Sequence, residues 1–163
     1  MIRSVRIFLV ILLAILLQVA ILPAYLRDPF KPNMLLVLVC FLALRQSPSW
    51  AGGVIVYMLG LVQDAFSGIY FGLNGFTYLF IYLGLRKVAD QLYTDRGHLM
   101  VIVVFLATFV AGCIHLLLLL LFSSVSDIYA SILPDLFPQA LVNALVASIV
   151  FGLLPLGALE EAE

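Results

Sequence analysis

Long apolar runs separated by short polar joints are the feature that most restricts how this 163-residue chain can fold. A run of about 20 apolar residues is long enough to cross the ~30 Å hydrocarbon core of a bilayer as a helix. The sequence divides into five or six such runs, and 65% of its residues are hydrophobic while only 10% are charged. Too few polar residues remain to cover a soluble domain of this size. We therefore predict an all-α, polytopic integral membrane protein.

Prolines and polar joints mark the predicted helix ends. Pro23 is expected to end the first helix, Ser47 and Pro48 to begin the third, and Pro134 and Pro138 to break the chain before the last. The apolar run 34–44 is too short to span upright, so a short or tilted second helix is expected. The prediction is a single transmembrane domain over residues 1–163, with six spans at about residues 7–22, 33–45, 48–66, 68–86, 99–122 and 139–157.

The lysines and arginines predict the orientation, because short cytoplasmic loops carry an excess of both. With six spans and the N-terminus inside, Arg27 and Lys31 lie outside. The cytoplasmic side takes the other six of the eight: Arg3, Arg6, Arg45, Arg86, Lys87 and Arg96. Both termini are therefore predicted to be cytoplasmic, and the turn after Asp64 is predicted to lie near the outer face.

A lone carboxylate, Asp64, stands where two very apolar segments meet. An ionisable side chain inside a membrane is costly and by default marks a functional site. One interpretation is that Asp64 and Ser67 cap the following helix, as Asp and Ser commonly do. The other is that Asp64 and Ser67 belong to a ligand or partner site. Under the capping interpretation Asp64→Asn should keep most function, because an amide oxygen can still cap.

Glycines surround Asp64 on both sides. Read as helices, Gly53, Gly60 and Asp64 fall on one stripe, while Gly68 and Gly72 form a small-xxx-small pair on the next segment. Small residues allow close approach of helix backbones in lipid. These glycines are therefore candidates for helix packing or for binding a partner's transmembrane helix.

Other polar side chains interrupt the apolar runs. His115 shares a helix face with Thr108 and is interpreted as a satisfied interior histidine, with a proton relay or ligand contact as the alternative. The amides Gln18, Asn74 and Asn143 are expected to hydrogen-bond between helices. Cys40 and Cys113 are expected to be buried free thiols, since neither belongs to a CxxC pair.

The sequence offers little to an enzyme or to a nucleic-acid-binding protein. The embedded candidates for a nucleophile, base and acid are Ser67, His115 and Asp64. Ser67-Gly68 resembles the serine motif of rhomboid-type intramembrane proteases, but Ala65 stands where the first glycine of that motif belongs. We expect no catalytic residues, no metal site and no cofactor, and the near-zero net charge without a basic block argues against nucleic acid.

Pro32-Asn33 opens the short second helix, and the run Gly60-x-x-x-Asp64-x-x-Ser67-Gly68-x-x-x-Gly72 follows it. With these motifs, its length and its number of apolar runs, the chain resembles the MreD family of bacterial rod shape-determining membrane proteins. The resemblance implies a non-enzymatic scaffold of the cell-elongation (Rod) complex in the inner membrane. It implies binding to the bitopic MreC, and neighbours that include MreB, RodA and a class B penicillin-binding protein.

The resemblance also implies a six-helix fold similar to the substrate-binding S-components of energy-coupling-factor vitamin transporters. That similarity supplies the alternative function, in which Asp64, Asn74 and His115 would line a ligand pocket that opens outward. The shortage of convergent polar groups able to recognise a vitamin counts against this alternative.

Overall fold

The computed structural model describes residues 2–26, 30–45, 50–67, 71–89, 97–122 and 128–153, and these ranges are helical almost throughout. No strand occurs in these ranges, so the predicted all-α class is confirmed. The helices are α1 (Ile2–Leu16), which continues through a π-helical turn (Leu17–Ile21) into α2 (Leu22–Tyr25), then α3 (Met34–Arg45), α4 (Trp50–Ser67), α5 (Leu73–Ala89), α6 (Gly97–Phe122) and α7 (Ile128–Leu153).

The first helix does not end at Pro23, contrary to the sequence-based expectation, but continues to Tyr25. The π-helical turn immediately before the proline explains why. In that turn the N–H of Leu22 bonds to the carbonyl of Leu17, five residues back rather than four. This wider turn relieves the clash between the proline ring and the preceding carbonyl that otherwise breaks a helix.

Helix α3 lies at the centre of the molecule. It has 12 residues, so the second helix is short, as predicted. Most of its side chains are buried. It contacts α1, α4, α5, α6 and α7. A helix surrounded by others needs no polar face, and the α3 sequence, which is apolar up to its last residue Arg45, is consistent with that position.

Helices α4 and α5 form a tightly packed pair joined by the turn at Phe71 and Gly72. The prediction that the second of these helices starts at Gly68 is wrong, because helix α5 begins at Leu73. Gly72 has φ of +100°, a left-handed backbone conformation that residues with a Cβ rarely adopt. Gly72 therefore belongs to the turn and not, as expected, to a helix.

Helices α6 and α7 form the second close pair. Helix α6 begins two residues before the predicted span and ends where predicted. The expected break at Pro134 and Pro138 is wrong, since α7 runs unbroken from Ile128 to Leu153. The prolines are four residues apart, so both missing N–H groups fall on one side of the helix. Membrane helices tolerate such prolines because neighbouring groups satisfy the freed carbonyls.

Within the described ranges, two helices are long and apolar enough to cross a membrane by themselves, Trp50–Ser67 and Leu99–Leu121. Three shorter apolar helical stretches accompany them: Leu9–Tyr25, Met34–Arg45 and Pro134–Val150. The count of six spans stays a prediction.

The expectation of two buried thiols is half wrong, because Cys40 is buried but Cys113 is exposed on α6.

Candidate functional site

The carboxylate of Asp64, at the end of α4, is buried and accepts four hydrogen bonds. Oδ1 accepts from the backbone N–H of Asn74 at 2.9 Å and from its side-chain Nδ2 at 2.8 Å. Oδ2 accepts from the backbone N–H groups of Gly72 at 2.9 Å and Gly75 at 3.2 Å. We call Asp64, Gly72, Asn74 and Gly75 the Asp64 cap.

The Asp64 cap satisfies N–H groups at the start of α5 that no helical partner can reach. Each carboxylate oxygen already accepts two donors, which fills its lone-pair positions. The positive end of the α5 dipole also favours a negative charge here. Asp64 is therefore built into the helix start, and its oxygens are not free to receive a further ligand or proton donor.

Ser67 does not share this capping role in the structure. Its side chain is exposed, and its hydroxyl donates to the carbonyl of Asp64 in its own helix at 3.2 Å. The expectation that Ser67 caps the following helix is therefore wrong. Gly68 lies outside the described residues.

Gly60 lies where α4 and α5 approach most closely. A methyl group in place of its hydrogen would lie 2.5 Å from the backbone nitrogen of Gly75 and 2.6 Å from the carbonyl oxygen of Asn74. Gly53, on the same helix, is different, because a methyl group there would make an ordinary 3.7 Å contact with Leu79. Gly60 is thus a packing residue within this chain, one turn away from Asp64.

A second polar cluster holds the start of α3. The side-chain oxygen of Asn33 accepts from the backbone N–H of Leu36 at 3.0 Å, which is a helix N-cap bond. The same oxygen accepts from the hydroxyl of Tyr78 on α5 at 2.9 Å. The backbone N–H of Asn33 donates to Oδ1 of Asn143 on α7 at 2.7 Å.

Two more helices complete this cluster. Gln18, in the π-helical turn, accepts from the backbone N–H of Met34 at 2.7 Å. Asn143 in turn donates from Nδ2 to Thr108 on α6 at 3.1 Å. We call Gln18, Asn33, Tyr78, Thr108 and Asn143 the Asn33 cluster. Through these residues, one helix start is joined to α5, α6, α7 and the first helix.

Sequence reasoning found only part of this site. Asn74 and Asn143 were candidates for the interior, Gln18 and Asn143 were expected to bond between helices, and Asn33 was noted as a helix opening. Tyr78 was missed, although its ring is fully buried. A tyrosine among apolar residues does not by itself indicate a polar contact. A Pro-Asn pair before an apolar helix does indicate an N-cap, and the side chain of a buried N-cap residue needs hydrogen-bond partners.

His115 stands apart from both clusters. Its ring is half-buried, and Nε2 is shielded from solvent with no hydrogen-bond partner in the described part of the chain. The interpretation of His115 as a satisfied interior histidine is therefore wrong at this nitrogen.

The arrangement does not assemble a catalytic relay from the residues considered for one. Asp64 is saturated by N–H donors, Ser67 donates to a backbone carbonyl, and Nε2 of His115 bonds to neither. Among the described residues, no three His, Cys, Asp or Glu side chains are grouped as metal ligands. The polar side chains described here form hydrogen bonds with backbone groups at helix starts inside an apolar bundle.

Comparisons with known proteins give one match. The family model described as rod shape-determining protein MreD matches residues 1–156. No curated protein and no solved structure matches, so the expected similarity to S-components rests on the family resemblance alone. The family match covers nearly the whole sequence and is one of shape-determining membrane proteins, not of enzymes. The chain belongs to the MreD family of rod shape-determining proteins.

Proposed function

We propose that this chain is a non-enzymatic membrane scaffold of the bacterial cell-elongation complex, which binds MreC and helps to organise peptidoglycan synthesis. A role in rod shape determination follows from the family. The proposal of a scaffold is supported by the hydrogen-bond partners of the buried polar groups. The Asp64 cap bonds to the start of α5 and the Asn33 cluster joins the start of α3 to other helices, so both fix the positions of helices.

The same observation favours a scaffold over the transporter alternative. A small-molecule site needs a few convergent polar groups with free hydrogen-bonding capacity. Two of the three side chains considered for such a pocket, Asp64 and Asn74, bond to each other in the Asp64 cap. Only His115 retains an unused nitrogen among these three. A single imidazole is a poor basis for recognising a vitamin.

We place the protein in the inner membrane as a multi-pass protein with both termini cytoplasmic. The grouping of basic residues supports this orientation. Arg45 closes α3, and Arg86 and Lys87 close α5. Arg86 donates to the carbonyl of Ala43 at 3.2 Å, so these helix ends are neighbours. A basic end of the bundle is expected on the cytoplasmic side.

The partner surface is proposed to lie on the outward faces of the helices. Large apolar side chains are exposed on every long helix, and such side chains can pack against lipid or against a partner's transmembrane helix. MreC is the expected direct partner, with MreB, RodA and a class B penicillin-binding protein as further members of the complex. Gly60 is occupied by α5 and is no longer a candidate for this surface.

Affinity purification of the tagged protein from its native membrane, followed by mass spectrometry, tests the proposal. We expect an MreC-type bitopic protein in near-stoichiometric amount. Recovery instead of ABC-type ATPases together with a bound vitamin would favour the transporter alternative and contradict the scaffold.

A depletion experiment tests the cellular role. Loss of the protein should make rod cells round and disperse wall synthesis, as visualised with fluorescent D-amino acids. Re-expression of the wild-type chain should restore the rod, and so should Ser67→Ala, which changes only an exposed hydroxyl. Cells that stay rod-shaped with localised wall synthesis after full depletion would contradict the proposed role.

A further inference from the structure

The first helix is loosely flanked in the bundle. Helices α4, α5, α6 and α7 follow one another around α3, each packed against the next. The first helix occupies the remaining side of α3, and among the described helices it packs closely against α3 alone. Its neighbour α7 also packs against α3, but not closely against the first helix. A groove therefore runs between the first helix and α7, with the start of α3 in its floor.

Polar side chains from both walls meet in the floor of this groove. The backbone N–H of Asn33 donates to Asn143 of α7, and the next backbone N–H, that of Met34, donates to Gln18 of the first helix. Because these two N–H groups are adjacent, the accepting side chains lie side by side. Asn33 is half-buried, so the floor is open to a neighbouring molecule.

The amide nitrogens of Gln18 and Asn33 are unused. Each side chain is oriented by a backbone N–H, which can bond only to the amide oxygen: that of Met34 at 2.7 Å for Gln18, and that of Leu36 at 3.0 Å for Asn33. Neither nitrogen has an acceptor in the part of the chain that the structure describes. Asn143, by contrast, uses both its oxygen and its nitrogen. The groove floor therefore offers amide N–H donors, although Gln18 is only 5% exposed.

The donors lie deep in the membrane. Asn143 bonds to Thr108, which places the floor of the groove at the level of Thr108 on α6. Within the apolar stretch Leu99–Leu121, Thr108 is about 13 Å from one end and about 20 Å from the other at the helical rise. Ester and phosphate oxygens of lipids lie outside the ~30 Å hydrocarbon core and do not reach this level. An unpaired N–H in hydrocarbon is costly, so the site favours an occupant that brings an acceptor.

We propose that this groove binds the transmembrane helix of a bitopic partner that carries a hydrogen-bond acceptor near its midpoint. An amide, hydroxyl or carboxyl oxygen at that position would accept from Nε2 of Gln18 and Nδ2 of Asn33. A helix that crosses the membrane can carry such an oxygen to the bilayer centre. The inference rests on the proposed function and deepens it, because it states where the partner helix lies and which chemistry recognises it.

Photo-cross-linking in living cells tests where the partner helix lies. A benzophenone amino acid replaces Ile21 or Leu145, exposed positions three residues from Gln18 and two residues from Asn143. Matched controls carry the same probe at Met58 of α4 and Leu106 of α6, which are also exposed. We expect both groove positions to give adducts with the bitopic protein recovered by affinity purification, joined within its transmembrane segment. The two controls should give few or none.

A substitution that keeps the helix cap tests the chemistry. Asn33→Asp retains an oxygen for the N–H of Leu36 and the hydroxyl of Tyr78, and aspartate caps helices as well as asparagine does. It replaces the unused nitrogen by a second oxygen, which would face the partner's acceptor. We expect recovery of the partner to fall at least about fivefold while the helical circular dichroism of the purified protein is unchanged. Tyr78→Phe is the control, because it removes a bond of the Asn33 cluster but leaves both unused nitrogens.

The outcomes separate this inference from the scaffold proposal. Adducts at the control positions alone, or full recovery of the partner with folded Asn33→Asp, would overturn the inference and leave the scaffold standing. An equal loss with Tyr78→Phe would also overturn it, because the cluster would then act only through the fold. Failure to recover any bitopic protein with the wild-type chain would contradict the scaffold and this inference together.

Discussion

Asn74 donates two hydrogen bonds to one oxygen of Asp64, from its backbone N–H at 2.9 Å and from its side-chain amide at 2.8 Å. The other oxygen accepts from Gly72 and Gly75. A carboxylate that receives four N–H donors is neutralised by dipoles, so it can be buried without a cation beside it. This explains how an acid can sit between two apolar helices of a membrane protein.

Asp64→Asn is predicted to be destabilising, contrary to the tolerance expected from capping alone. The new amide nitrogen would replace an acceptor that now serves two donors, so two N–H groups would face a donor. Each unsatisfied buried donor costs roughly 1–3 kcal/mol. We expect a loss of at least about 2 kcal/mol, measured by titrating SDS into mild micelles and following the far-ultraviolet circular dichroism. Ser67→Ala, one turn away and exposed, is the control and should be neutral. Equal stability of Asp64→Asn and wild type would show that the four bonds are not formed together.

Gly60→Ala is predicted to disrupt the α4–α5 pair. The added methyl group would overlap the backbone of Gly75 and Asn74, which cannot rotate away as a side chain can. Overpacking of this kind costs about 1–3 kcal/mol. Gly84→Ala on α5 is the matched control, because nothing lies within 4 Å of its added methyl group. Alanine there should stabilise the helix by up to about 1 kcal/mol. The same SDS titration checks both variants, and a Gly60→Ala protein as stable as Gly84→Ala would argue against the close approach.

Within the Asn33 cluster, Asn33→Ala is predicted to cost more than Tyr78→Phe. Tyr78→Phe removes one interhelical bond and leaves the N-cap bond to Leu36 intact, and such bonds in membranes average about 0.6 kcal/mol. Asn33→Ala removes the cap and also leaves the buried Tyr78 hydroxyl without its acceptor, a loss of about 1–3 kcal/mol. Unfolding of both single variants and the double variant measures the coupling. Strictly additive effects would mean that the two side chains do not interact.

The proposed topology predicts the labelling of introduced cysteines. In a background of Cys40→Ala and Cys113→Ser, a cysteine added at the C-terminus should be inaccessible to an impermeant maleimide applied from outside the cell. The expectation follows from the basic residues grouped at one end of the bundle. Opening the cells should make the same cysteine reactive, which is the control for its exposure. Ready labelling of intact cells would mean an odd number of spans or the opposite orientation, and either would contradict the proposed topology.

Much of the helical framework can be predicted from local patterns. The apolar run that forms α6 has nearly the predicted bounds, and the shortness of α3 is visible in the sequence because polar residues flank it. Apart from the start of α5, the errors in the predicted helix ends occur at proline. Pro23, Pro134 and Pro138 are typical of helix ends, yet a π-helical turn precedes Pro23 and α7 continues through Pro134 and Pro138. Membrane helices tolerate proline in this way, so residue type alone does not locate their ends.

The candidate site was predictable only where its chemistry is local. Asp64 caps a helix that starts a few residues later, so residue type and position suggested its role. The partners of Asn33 are far away in sequence, with Tyr78 45 residues and Asn143 110 residues further along. Only the packed arrangement of helices brings them together.

The Asn33 cluster also orders events during biosynthesis. The N–H of Asn33 donates to Asn143, which lies 110 residues further along the chain. Helix α3 therefore leaves the ribosome long before its acceptor does. At 5–20 residues per second, the start of α3 waits roughly 5–20 s for that acceptor. During this interval the N–H of Asn33 lacks its acceptor, and an unpaired N–H is costly in lipid. Nascent chains stalled before Asn143 should therefore remain bound to the insertion machinery or be degraded, whereas chains that include α7 should be released as a closed bundle.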